Sequence, residues 1–352
     1  MTQKRTALKL DIKNGRVDMT HGSGGRAMAQ LIDQLFAQAF DNPLLAEGND
    51  QARLMPPMID GSPAQLAFST DSFVVSPLFF PGGDIGSLAV HGTVNDVALG
   101  GAKPLWLSVG FILEEGFPLA DLAKIVDSMA RAAKKAGVQI VTGDTKVVEK
   151  GKADGVFINT AGIGAIDPSA NWSVAHIQPD DAVLVSGPIG DHGVAVMGVR
   201  ENVIFEEEIL SDSVALHELI ADMIASGVEI HAMRDPTRGG LATALNELAQ
   251  SAGVGVRLDE AAILVRQSVR GVCEILGLDP LYVANEGRLI AFCPKNQAET
   301  LLAAMRANPE GQDAAIIGRV VADEDCFVEM KTTLGGYRMV DWLAGEQLPR
   351  IC

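Results

Sequence analysis

Cysteine is scarce in this chain. Its 352 residues hold four, Cys273, Cys293, Cys326 and Cys352, and no two form a CxxC pair. That spacing argues against a disulfide framework and a thiolate zinc site, and it fits a reducing cytoplasmic compartment. The first three sit in apolar or strand-like contexts and read as inert buried thiols. Positive charge is also in deficit: 28 Lys and Arg face 45 Asp and Glu, a formal net charge of −17. A nucleic-acid surface or an anionic-membrane surface is therefore not expected. No apolar run reaches the roughly 18 residues a membrane span needs. The start, MTQKRTALKL, lacks the apolar stretch of a signal peptide. No HxxxH or HExxH spacing occurs. His91, on a small-residue helix, and His192, in a glycine turn, read as structural or substrate-adjacent groups. Aromatic residues make up 5% against 37 glycines, the balance of an Ala/Val/Leu/Gly-rich α/β protein with many tight turns.

What is present suffices for two domains. Residues 1–18 read as a polar, loose arm. His21-Gly22-Ser23-Gly24-Gly25 precedes an amphipathic helix over 26–40, and residues 41–64, with four prolines, read as a long loop. Strands are expected at 65–72 and 73–80, a helix at 84–99, a strand at 105–113 and a helix at 118–136 that Gly137 stops. Further strands follow at 138–145, running into a polar turn, and at 156–166. The Pro/Asp/Ser-rich stretch 167–180 marks a boundary between domains at 19–168 and 178–331. The second begins with a strand at 181–187 and a glycine turn leading into a helix; more helices are expected near 212–225 and 237–252. Residues 340–352 read as an extended, flexible tail, stiffened by Pro349.

Aspartates recur at expected strand ends or turns: Asp71, Asp96, Asp144 and Asp235. One turn aspartate is an ordinary solvated side chain. Four, each beside a strand and small residues, suit Mg²⁺, which takes one or two carboxylates plus substrate phosphates. The turns HGSGG (Gly22, Ser23, Gly24, Gly25) and TRGG offer backbone N–H groups to phosphates, though neither matches a Walker A or dinucleotide pattern. Thr237 and Arg238 lie in the second turn. Lys146 follows Asp144 by two, so along a strand both share a face; the pair either grips a γ-phosphate or is a surface ion pair of small energetic worth. Glu286, in ANEG, is either a proton-accepting carboxylate or a plain turn residue. The final residue, Cys352, is either an accidental exposed thiol or a group carrier.

HGSGG, FSTDS, NDVA, TGDTKVV, GDHG, DPTRGG, ANEG and the final PRIC together resemble the HypE family of hydrogenase maturation proteins, from about residue 19 to Cys352. The ATP-site elements are shared with a wider superfamily that includes aminoimidazole ribonucleotide synthetase, selenophosphate synthetase and thiamine-monophosphate kinase; the PRIC ending separates HypE from these. The resemblance implies a two-domain α/β (α+β) synthetase-like fold, whose amino-terminal domain forms a β-barrel shared across a homodimer. It implies ATP and Mg²⁺ as cofactors. It also implies a reaction: the carbamoyltransferase HypF loads a carbamoyl group onto Cys352, ATP-dependent dehydration converts it to a thiocyanate, and cyanide passes to iron on a HypC–HypD complex. In that scheme Asp71, Asp96 and Asp144 carry metal. Lys146 meets the γ-phosphate, Glu286 is the base or orienting group, and Asp235, Thr237 and Arg238 line the phosphate pocket.

The end of a chain suits such a role, because a tail of ten extended residues reaches about 33 Å. The neighbouring α-carboxylate is expected to raise the thiol pKa above its usual ~8.5, with Arg350 partly offsetting it. Two other readings stay open on the residues alone. One is a synthetase or kinase for a free small molecule; the other is a non-catalytic carrier of a sulfur-bound group.

Overall fold

The computed structural model describes residues 9–23, 25–47, 51–203, 208–343, 348 and 350–352. Helix α1 (Arg26–Leu31) continues through a π-helical turn to Ala39, so the segment expected as a helix winds throughout. The rest of the first domain alternates β1 (Leu66–Phe73), α2 (Ile85–Leu99), β2 (Ala102–Glu114), α3 (Leu119–Lys135), β3 (Gln139–Val148) and β4 (Val156–Ile166). The four strands form one sheet in the order β1-β4-β2-β3, antiparallel except for the parallel β2–β3 pair.

Local chemistry sets the helices. Asp84 caps α2, accepting from the amides of Gly86 and Ser87, while its own N–H donates to Ser87 Oγ. In α3, Leu119, Leu122, Ile125, Val126 and Met129 recur at helical spacing and are buried, each stabilising by about 1.5–3 kcal/mol. Helix α2 is apolar nearly all round. It lies under the sheet on one side, and its end, Ala98 and Leu99, joins the core of the second domain.

The second domain contains β5 (Asp181–Val185), α4 (Asp191–Arg200), α5 (His217–Ala225), β6 (Ala232–Arg234), α6 (Gly240–Ala252), β7 (Gly255–Asp259), α7 (Gln267–Leu276), β8 (Ile290–Pro294), α8 (Ala298–Ala307), β9 (Ala315–Val321), β10 (Val328–Lys331) and β11 (Tyr337–Met339). The sheet order is β6-β8-β5-β9-β7-β10-β11. Strand β5 is buried along its whole length. Val183 and Val185 face the α6 core, while Ala182 and Leu184 face α5 and α8, the period of two that a strand imposes.

Four expectations need correction. Residues 73–80 do not form a second long strand; only Phe79–Phe80 pairs, with Gly83–Asp84. The amides of Val74 and Ser76, which a strand partner would use, donate instead to the carbonyls of Cys352 and Arg350. Strand β3 does not turn at Asp144 but runs on to Val148 beside β2. The arm is not loose where it is described: Val17 is buried and exchanges backbone bonds with Phe117 and Gly116. The tail is held rather than free at its described ends, with Val340 and Ile351 both buried. Among the described residues, no helix is long and apolar enough to cross a membrane.

Candidate active site

Three loops and two elements meet where the domains face each other. Asp71 lies inside β1, not at its end. Its register partner Thr160 hydrogen-bonds Thr93 of α2, so Asp71 points to the helix side of the sheet. Asp96 is on α2 itself, where Ser69 Oγ donates to its carboxylate at 2.9 Å. Asp235 follows β6, and Glu286 sits in the buried turn before β8. Asn95 stitches this junction: it accepts from Leu216 N at 2.7 Å and donates to the carbonyls of Val214 and Glu286 at 2.9 and 3.3 Å. Asn285 ties the ANEG turn to both neighbours, accepting from Gly190 N and donating to Pro236 O. In the TRGG turn Gly240 has φ +62°, and a Cβ there would stand 2.5 Å from Leu281 O. Only glycine fits, and the consecutive left-handed residues delay α6 to Gly240, later than the sequence pattern suggests.

Like charges dominate the electrostatics. Burial pushes the Asp96 carboxyl up to about 6, with Asp235 and Asp71 adding to the rise and Ser69 opposing it. Asp235 is raised by burial and by Asp71. Glu286, 4% exposed, is raised well above the usual carboxylate range, by burial first and then by Asp235, Asp212, Asp71 and Asp96. Its Oε1 is buried without a hydrogen-bond partner among the described residues. Behind it, Glu286 N donates to Asp212 Oδ1 at 3.1 Å, and buried Arg288 lies 3.6 Å from Asp212 and 3.9 Å from Asp191.

The tail end enters this junction. The Cys352 side chain lies within electrostatic reach of Glu286. It borders a cavity of about 290 Å³ lined by Ser72, Val74, Arg238, Gly239 and Tyr282 among others. Burial pushes the Cys352 thiol far up; Glu286 and Asp71 add to this and Arg238 opposes it. The expected controls were the α-carboxylate and Arg350. The structure replaces them with burial and Glu286, because Arg350 turns away to pair with Asp154 at 2.5 Å.

A second group forms elsewhere. Asp144 lies opposite Gly110, which lies opposite Asn159 and so in line with Ser72, one residue off Asp71. Asp144 and Lys146 therefore point to the other face of the sheet, on the opposite edge strand, about 14 Å away at the usual strand spacing. They form a 2.9 Å ion pair, each side chain 63% exposed, and Lys146 holds the Asp144 carboxyl below its ordinary value. The HGSGG loop belongs to this group: a Cβ on Gly22 would stand 2.7 Å from Val147 N of β3. Ser23 and Gly25 flank it, and Gly24 lies outside the described residues. One chain thus brings together Asp71, Asp96, Asp235, Arg238, Glu286 and Cys352. It does not bring Asp144 or Lys146 to them, and no group of three His, Cys, Asp or Glu suited to a metal ion forms among the described residues. Thr237 stands in the turn between the first group's Asp235 and Arg238. Cys273 and Cys293 are buried as expected, but Cys326 is half-exposed. Sequence reasoning passed over Asn95, Asn285 and Asp212. An asparagine beside a metal-type aspartate (Asn95-Asp96) was the one available sign.

The architecture defines a class before a family. Residues 48–166 match AIR synthase related protein, N-terminal domain, and residues 178–331 match AIR synthase related protein, C-terminal domain. Within that class the chain belongs to the HypE carbamoyl dehydratase family. It is 62% identical over 344 residues to the carbamoyl dehydratase HypE of Azotobacter vinelandii, covering 98% of this chain and 99% of that one. A crystal structure of the hydrogenase maturation protein HypE in complex with ATP superposes with a TM-score of 0.90 at 49% identity, covering 95% of this chain and 99% of that one. The HypE of a HypE–HypF complex gives a TM-score of 0.77 at 48% identity, over 89% and 99% of the two chains.

Proposed function

We propose that the chain is an ATP-dependent carbamoyl dehydratase, a lyase, acting on its own Cys352. An S-carbamoyl group on that residue becomes a thiocyanate, the source of the cyanide ligand for the iron of a [NiFe]-hydrogenase. The observation that carries this reading is the docked tail end, whose Cys352 borders the same cavity as Arg238 and feels the buried Glu286 carboxyl. In the dehydration, the carbonyl oxygen of S–C(=O)–NH₂ attacks the γ-phosphorus of ATP and ADP leaves. The C–O bond then breaks with phosphate as the leaving group, and the nitrogen gives up both protons, one to Glu286 and one to the departing phosphate, as S–C≡N forms. Glu286 is the group that takes a nitrogen proton. Burial raises the affinity of this carboxylate for a proton, and its unpartnered Oε1 leaves one oxygen for the amide. Arg238, Thr237 and the amides opening α6 receive phosphate oxygens beside the sulfur.

Asp71 and Asp96 would hold Mg²⁺. The fit rests on their mutual repulsion with Asp235, which a divalent cation relieves. When bound with ATP, the ion neutralises triphosphate charge. Asp144, Lys146 and the loop of Gly22, Ser23, Gly24 and Gly25 serve the nucleotide from the second group. Strands β1 and β3 are the outer strands of the sheet, the HGSGG loop lying against Val147 of β3, and Leu66 and Phe68 of β1 are 42% and 69% exposed. A homodimer joining these edges puts Asp144 and Lys146 at the seam, where they meet the second copy. The carbamoyl donor is HypF, a reading supported by the HypE–HypF complex; the acceptor is a HypC–HypD complex.

Intact-protein mass spectrometry tests the whole reading. With HypF, carbamoyl phosphate, ATP and Mg²⁺, Cys352 gains a carbamoyl group and then loses one water, and Cys352→Ala shows neither change. An adduct that never loses water refutes the dehydratase and leaves a carrier. No adduct at all points to a free small-molecule substrate.

A further inference from the structure

The body of the protein grips the tail by its main chain. Three successive carbonyl oxygens each meet a donor. Arg350 O accepts from Ser76 N at 3.1 Å and from Arg200 Nη2 at 2.8 Å. Ile351 O accepts from His192 Nε2 at 2.8 Å. Cys352 O accepts from Val74 N at 3.1 Å. The side chain of Ile351 is 4% exposed within the first-domain core. Arg350 takes φ +53°, a conformation a non-glycine residue keeps only when its surroundings fix it. That turn sends Ile351 inward and leaves Cys352 facing Glu286.

Two side chains complete the grip. His192 is fully buried, edge-on to Phe80, with Nδ1 2.8 Å from Ser211 Oγ. A carbonyl only accepts, so Nε2 carries the proton and Nδ1 accepts from the Ser211 hydroxyl. Ser211 is itself fixed, since its N–H donates to Pro81 O and its Oγ accepts from Ser213 N. Arg200 bridges, donating to Ser76 O through Nε at 2.9 Å while Nη2 holds Arg350 O. None of these contacts involves the sulfur.

We infer that His192 and Arg200 are positioning residues that hold the tail through the carbonyls of Ile351 and Arg350, and so place Cys352 beside Glu286 whatever group its sulfur bears. The purpose of this grip rests on the function proposed above, but the grip itself belongs to the unmodified chain.

The test uses the full-length protein without nucleotide or carbamoyl donor. Iodoacetamide labelling is followed at each cysteine by peptide mass spectrometry. Arg200→Ala and His192→Leu each label Cys352 about tenfold faster than the parent, as expected for the loss of one hydrogen bond to a buried carbonyl. Rates at Cys273, Cys293 and Cys326 stay unchanged. Arg200→Lys and His192→Gln, which each restore an N–H donor, return Cys352 to within about twofold of the parent. If His192→Leu exposes all four thiols, that variant has unfolded and the Arg200 pair decides. An unchanged Cys352 rate in folded Arg200→Ala overturns the inference, as does a failure of the Lys and Gln variants to rescue. Because no ATP or carbamoyl donor is present, failure of the dehydratase reading leaves these rates untouched.

Discussion

Replacing Glu286 by glutamine isolates the proton-accepting step. The change keeps shape and the backbone contacts to Asp212 and Asn95, and it removes one of five carboxylates that repel one another across the junction (Asp71, Asp96, Asp212, Asp235 and Glu286 itself). The variant therefore folds, and its thermal stability does not fall. What it loses, under the proposed function, is the group that takes a proton beside the Cys352 sulfur. A positioned general base contributes roughly 10²–10⁴-fold, or about 3–5 kcal/mol of barrier. The assay is a single turnover: the chain is carbamoylated first, ATP and Mg²⁺ are then mixed in, and the adduct is followed by intact mass. Carbamoylation proceeds as in the parent, and loss of water slows by two to four powers of ten. Dehydration within about threefold of the parent, with the variant shown to be folded, refutes the role given to Glu286.

Other outcomes follow from the same geometry. Asp96 has a folded-state pKa above its unfolded value, so its stabilising contribution is complete below about pH 4 and is lost as pH rises through about 6. Asp96→Asn consequently raises stability to denaturant by up to about 3 kcal/mol at pH 8. The gain vanishes near pH 4, and ATP–Mg²⁺ affinity measured by calorimetry falls. Gly240→Ala forces a Cβ against the carbonyls of Leu281 and Val283, and costs about 3 kcal/mol or more in urea unfolding. Arg288→Met leaves buried Asp212 without its cation, while Asp191 keeps Arg266 at 3.1 Å, and lowers stability by roughly 3–5 kcal/mol at pH 7 in the same assay.

The sequence exposed some of this architecture and hid the rest for physical reasons. Strand β4 was legible at both ends because Val156–Ile166 is an apolar run bounded by polar turns. Helix α3 was legible because its apolar stripe and Gly137 are local signals. The π-helical turn after α1 was not, since one extra residue per turn leaves the amphipathic pattern nearly intact. Residues 73–80 carry strand composition, yet the hydrogen bonds that decide their conformation come from residues 350 and 352. On sequence Asp96 groups with the turn aspartates although it falls inside the helix expected over 84–99, and the structure keeps it on α2. The two-sided placement of Asp71 and Asp144 depends on register parity across four strands, which no local pattern encodes. Family motifs did carry across most of the chain, but they name residues without saying which face of the sheet each one occupies.

The docked tail changes what kind of kinetics this protein obeys. In the proposed reaction the sulfur and the site that receives it are parts of one chain, joined at Arg350–Cys352 by four backbone and side-chain hydrogen bonds. For such a tethered reactant the effective local concentration lies in the ~mM range or above, so conversion is first order in protein and carries no Michaelis constant for the tail. Under the proposed function each molecule holds a single charge of product, and until an acceptor draws the tail out it is a loaded reagent rather than a free catalyst. Delivery then requires those main-chain bonds to let go.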